Sequence, residues 1–234
     1  MLLYSTAFWI FAIIFILIQS IQDDDISLKS DRIKNMPRPL STLIKTVPAG
    51  LAAIFVFLLR PSDALFYFLI ILGLFLCLLG DVGMEINLLP GIGLFALAQI
   101  DFAAAFLLQS LALGITTEAI MLLLPLIVTV AVYAILLLRY LHGSEQGLGK
   151  FRVPIIFYAC VISIMLCLSL LLWITSGILL GIVVAGGAAI FVMSDSMIGI
   201  TEFHHKMPKT AIKVLGSYYL AIFLLSLSVL IYIF

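Results

Sequence analysis

Long apolar runs broken by brief polar punctuation make up the chain, and the runs fall near residues 2–20, 41–59, 64–83, 90–113, 118–138, 153–173, 178–200 and 209–233. Each is close to the roughly 20 residues a helix needs to cross a bilayer. The runs are continuous rather than alternating, which predicts helices and not barrel strands. The punctuation has turn and helix-start chemistry, in Pro61-Ser62-Asp63, Pro90-Gly91, Gly143-Ser144 and Met207-Pro208. The expected fold is therefore all-α, a polytopic membrane bundle of eight transmembrane helices forming one domain over residues 1–234. The first run, Leu2 to Ser20, lacks the basic leader and small-residue cleavage site of a secretory signal and is read as a span.

Composition narrows the class. The chain is 65% hydrophobic and 10% charged over 234 residues, whereas soluble domains are about 45–50% apolar. Its formal net charge of zero argues against nucleic acid, whose phosphates require an excess of Lys and Arg. Lipid is the expected partner. Cys77, Cys160 and Cys167 all sit in apolar stretches; they make no disulfide framework and read as small core residues.

Charge placement sets the orientation. Connections after odd-numbered spans carry Lys29, Arg32, Lys34, Arg38, Arg139, Lys150, Arg152, Lys206, Lys209 and Lys213, whereas those after even-numbered spans carry Arg60 alone. By the positive-inside rule the odd connections face the cytoplasm and both termini lie on the other side. The short loops and the absence of targeting signals fit a bacterial inner membrane, and an endoplasmic reticulum membrane nearly as well. The longest hydrophilic stretch, Gln22 to Pro39, contains Asp23-Asp24-Asp25 and reads as a solvated loop with a basic end rather than as a metal site.

A charge in mid-span costs about 2.5–3.5 kcal/mol on insertion scales, so each one requires a reason. Lys45, Asp81, Asp101 and Asp195 qualify; Glu85 and Glu202 lie near span ends and read as solvated. With about 1.5 Å of rise per residue, Lys45, Asp81 and Asp195 fall near the inner interface. Gln99, Asp101, Tyr218 and Tyr219 lie deeper from the same side. Small residues accompany the aspartates: Gly80 precedes Asp81, and Gly186 and Gly187 lie about two turns before Asp195. They are expected to narrow the space between spans three and seven.

At these residues the chain resembles the lysoplasmalogenase, or YhhN-like, family of membrane proteins. The resemblance runs from Leu43 onward. Leu43-Ile44-Lys45-Thr46-Val47-Pro48 is similar to the family's Lys-x-x-Pro entry to the second span, Leu79-Gly80-Asp81 to its Gly-Asp motif, and Phe191-Val192-Met193-Ser194-Asp195-Ser196 to its Phe-x-x-Ser-Asp motif. Tyr218-Tyr219 is similar to a paired aromatic in the last span. The fourth span departs from the pattern: the family commonly has His followed three residues later by Tyr, where this chain has Gln99 and Phe102. The resemblance implies hydrolysis of the vinyl ether of a lysoplasmalogen, a lysophospholipid, to a fatty aldehyde and glycerophosphocholine or glycerophosphoethanolamine, without a cofactor.

Acid hydrolysis of a vinyl ether begins with protonation of the β-carbon and leaves an oxocarbenium ion that water captures. Two carboxyl groups in one low-dielectric site divide that work, one as acid and the other as carboxylate. Asp81 and Asp195 are the expected pair. Lys45 is expected to hold one of them ionised or to bind the lipid phosphate, with Gln99, Asp101, Ser194, Tyr218 and Tyr219 in support. Zinc chemistry wants several histidines on a common cavity, but His142, His204 and His205 lie at loops or span ends, and no Gly-x-Ser-x-Gly marks a serine hydrolase. A proton-coupled lipid or small-molecule carrier would show the same intramembrane charges, as would a family member that has lost catalysis.

Overall fold

The apolar runs form helices in the computed structural model, which describes residues 1–22, 37–59, 64–144 and 147–232. In chain order they are α1 (Leu2–Gln22), α2 (Arg38–Leu59), α3 (Ala64–Ile86), α4 (Leu88–Leu113), α5 (Thr117–His142), α6 (Arg152–Ser176), α7 (Gly181–Phe203) and α8 (Thr210–Ser226). A short α9 (Ser228–Tyr232) continues α8, and a 3-10 turn (Gly149–Phe151) leads into α6. Among the described residues there is no strand, and eight helices are long and apolar enough to cross a membrane. The Asp23 to Lys34 segment, Arg60 and Pro61-Ser62-Asp63 lie outside the described residues.

Local chemistry explains where the helices start and stop. The Asn87 side chain accepts from the Leu89 amide at 3.1 Å, so that one capping residue separates α3 from α4. Pro90 then sits in the first turn of α4, where no intrahelical donor is required. Thr116 caps α5 in the same way through the Ala119 amide, and Gly177 ends α6 in the left-handed conformation, at φ 63°.

The packing order is not the chain order. Neighbour follows neighbour as α1, α2, α3, α4, α6, α7, α8 and back to α1, while α8 also touches α2 and α3. Helix α5 stands outside this ring, against α6 and lightly against α7. Only 6% of its apolar stretch is buried, against 50% for α4 and α7, so its outer face is left to lipid.

Without a hydrophobic drive between helices in a bilayer, association rests on close packing and cross-helix hydrogen bonds. Tyr4 and Ser226 pair across α1 and α8 at 2.7 Å, the Ser194 hydroxyl donates to the Val214 carbonyl across α7 and α8 at 2.9 Å, and Tyr219 donates to the Lys45 carbonyl at 3.0 Å. That last acceptor lies beside a gap in the α2 ladder, because Pro48 has no N–H to offer the Ile44 carbonyl. Of the cysteines only Cys77 is a core residue; Cys160 is exposed on the α6 surface and Cys167 is half-buried. An apolar stretch is apolar on its lipid face as well as its protein face, and hydropathy does not separate the two.

The glycines beside the aspartates act elsewhere than expected. A Cβ on Gly80 would meet the Phe95 ring of α4, and one on Gly187 would lie 2.8 Å from Leu224 Cβ of α8. Helices α3 and α7 have no extended packing against each other. Gly186 faces open space. A methyl group is therefore expected to have opposite effects at adjacent positions. Gly187→Ala forces α7 and α8 apart and lowers stability by about 1–3 kcal/mol. Gly186→Ala gains up to about 1 kcal/mol of helix preference. Thermal unfolding in detergent checks both, and equal shifts would contradict a tight α7–α8 contact at Gly187.

Candidate functional site

The polar side chains gather at the end of the bundle that carries the connections after the odd-numbered helices. There α1, α2, α3, α7 and α8, with Phe95 of α4, enclose a chamber of about 240 Å³. Lys45, Asp81, Glu85, Asp195, Glu202 and Tyr218 line it. Four of the candidates read from the sequence, Lys45, Asp81, Asp195 and Tyr218, thus meet on one cavity although they come from four helices.

Each aspartate has its own tyrosine. Asp81 is 2% exposed, and its Oδ2 accepts from the Tyr218 hydroxyl at 2.9 Å. Phe95 and Phe191 stand edge-on to the Tyr218 ring, with centroids 5.8 and 5.6 Å away, and this fixes the direction in which the hydroxyl points. Asp195 Oδ2 accepts from the Tyr158 hydroxyl of α6. One oxygen of each carboxyl group is thus engaged as an acceptor.

The direct partner of Lys45 is Glu85 rather than either aspartate. Its Nζ donates to Glu85 Oε1 at 2.8 Å, forming an ion pair at the chamber wall. Glu85 is the penultimate residue of α3, a position that suggests solvation; in the fold it is 43% exposed and yet bonded. Glu202, also near a helix end, lines the same chamber. Both glutamates are exposed, as their positions near span ends suggest, while bordering the chamber.

The remaining candidates do not line the chamber. Gln99 is fully buried, and among the described residues neither its Nε2 nor its Oε1 has a hydrogen-bond partner. Asp101 lies farther along α4, with its Oδ2 buried and without a hydrogen-bond partner among the described residues. Ser194 and Tyr219 are engaged in cross-helix bonds to the Val214 and Lys45 carbonyls. Nothing in the sequence singles out Tyr158. A tyrosine six residues into an apolar run that follows Lys150 and Arg152 reads as part of an interfacial aromatic belt, and only the fold turns it toward Asp195.

A second cavity runs beside the chamber, between α4, α5, α6 and α7. It is a groove lined mainly by apolar side chains, and it shares Met84, Phe95, Asp195 and Ile198 with the chamber. Asp195 is thus the carboxyl group common to a polar and an apolar space. His204 stacks on Tyr140 outside both cavities, 4.1 Å between centroids, and its Nδ1 lies 3.0 Å from that of His205. Among the described residues no three His, Cys, Asp or Glu side chains are grouped to hold a metal ion.

Comparison with curated proteins and with solved structures gives no match. The family model of the YhhN family matches residues 40–229, a stretch that contains every residue of the chamber except those contributed by α1. The chain therefore belongs to the YhhN family.

Proposed function

We propose that this YhhN-family protein is an intramembrane hydrolase that cleaves the vinyl ether of lysoplasmalogens, with Asp195 and Asp81 as the reacting carboxyl groups. The observation that carries this reading is that both aspartates line one chamber, each held by a tyrosine hydroxyl, with Asp195 also at the boundary of the apolar groove. A lysolipid is polar at its head and apolar along its chain, and the reacting bond lies at the junction of the two.

Asp195 is the proton donor in this mechanism because it alone faces the apolar side, where the alkenyl carbons lie. Its proton passes to the β-carbon, the π electrons form the new C–H bond, and the positive charge is shared between the α-carbon and the ether oxygen. Asp81, as carboxylate, faces that charge. Water adds to the α-carbon and gives its proton to a carboxylate of the pair, so the site regains what it donated. The resulting hemiacetal then collapses, its hydroxyl proton moving to the leaving glycerol oxygen, and releases the aldehyde. The sum is one vinyl ether and one water converted to one aldehyde and one alcohol. Charge stabilisation by preorganised groups is a large contributor to such a step.

The test is aldehyde release from a lysoplasmalogen by the purified protein in liposomes. A hydrolase yields one aldehyde for each vinyl ether lost. A carrier instead moves the intact lipid between leaflets and yields none, and that outcome would overturn the proposal.

A further inference from the structure

We infer that the groove between α4, α5, α6 and α7 is the binding site for the single hydrocarbon chain of the substrate, and that it sets chain-length preference. This assignment rests on the hydrolase reading, but its physical basis is separate. The polar groups of the groove are not scattered: Tyr133, Tyr158, Ser163, Asp195 and Ser196 all lie at its end deeper in the bundle, one to three turns from the helix ends that carry Leu88, Leu141 and Phe203. Along the rest of its length the wall is apolar, including Leu88, Leu138, Leu141 and Phe203. From Asp195 to Phe203 the groove follows α7 for eight residues, about 12 Å.

That polarity gradient selects the occupant. An ordinary bilayer lipid lying in the groove would place hydrocarbon against a carboxyl group and two phenols, which disfavours it. A lipid whose own ether oxygen and glycerol begin at Asp195 matches the polar end with polar atoms and fills the apolar length with its chain. Continuity with the chamber through Asp195, Met84, Phe95 and Ile198 lets one molecule occupy both spaces. Tyr133 donates to the Ser196 hydroxyl at 2.8 Å and ties α5 to α7 across the deeper end, so the most weakly packed helix of the bundle forms one wall of this site.

A chain drawn from the bilayer is already out of water and gains only packing against the groove wall, so kcat/KM should change with chain length until the groove is full and then level off. Two small wall residues, Ala159 on α6 and Ala134 on α5, are half-buried and have room for a larger side chain. Ala159→Phe, or Ala134→Phe should the first fail to fold, is expected to move the levelling-off point to shorter chains. A wedge that clashes with chains long enough to reach it lowers the long-to-short ratio of kcat/KM by about 5–150-fold, the scale of an overpacked contact. Leu136→Phe, on the exposed outer face of α5 and off the groove, leaves the ratio unchanged.

Binding of 1-O-alkyl lysophosphatidylcholines, which lack the vinyl bond, is measured in parallel by calorimetry. A shifted chain-length dependence of binding in the wedge variants supports the groove even if no aldehyde forms, in which case the hydrolase reading alone falls. Unchanged chain-length profiles in both binding and turnover, in a folded wedge variant, overturn the groove assignment and leave the hydrolase reading standing.

Discussion

Replacing Asp195 by Asn is expected to lower turnover by about 10²–10⁴, the share usually carried by a positioned proton donor. The substitution is close to isosteric, and the amide oxygen still accepts from the Tyr158 hydroxyl that now bonds Oδ2. What disappears is the acidic proton, since an amide does not protonate carbon. The loss should therefore fall on kcat, with KM and the thermal midpoint in detergent close to those of the unmodified protein. Aldehyde release measured over a range of lysoplasmalogen concentrations separates the two parameters. Retention of more than about a tenth of the original kcat would remove Asp195 from the proton-transfer step.

The fold was readable because a bilayer imposes one local rule: every span must bury its own backbone hydrogen bonds over about 20 apolar residues. Asn87, Thr116 and Gly177 end or start helices where cap chemistry says they should. The lateral order was not readable. Hydropathy along α5 differs little from that of α6, and nothing in it says that α5 stands outside the ring while α4 packs on α6.

The site was legible to the extent that depth was. Lys45, Asp81, Asp195 and Tyr218 share a cavity because charge costs in lipid drive polar side chains at one depth toward one another. Rotational facing about the helix axis is a separate matter, and depth says nothing of it. Lys45 turns to Glu85, Ser194 turns to the α8 backbone, and Tyr158 turns inward to Asp195. Gln99 is buried but lines neither cavity. None of these directions follows from a pattern of apolar and polar letters.

Asp81 and Tyr218 are expected to behave as one unit. Asp81→Asn removes the negative charge that, in the proposed mechanism, faces the oxocarbenium ion, with an expected loss of about 10²–10³ in kcat for electrostatic stabilisation of this kind. Tyr218→Phe leaves the charge but deletes the hydroxyl that orients it at 2.9 Å; a hydrogen bond to a charged group is worth about 1.5–3 kcal/mol, which converts to a loss of roughly 10–100-fold. The ring itself stays between Phe95 and Phe191, so packing is preserved and stability changes little. If the hydroxyl acts only through the carboxylate, Tyr218→Phe has little left to remove once Asp81 is Asn, and the double variant should be nearly as active as Asp81→Asn alone. Losses that instead multiply would give Tyr218 a contact with substrate independent of Asp81. The four kcat values, measured together on one lysoplasmalogen, decide between a tyrosine that positions the carboxylate and one that touches the reacting lipid.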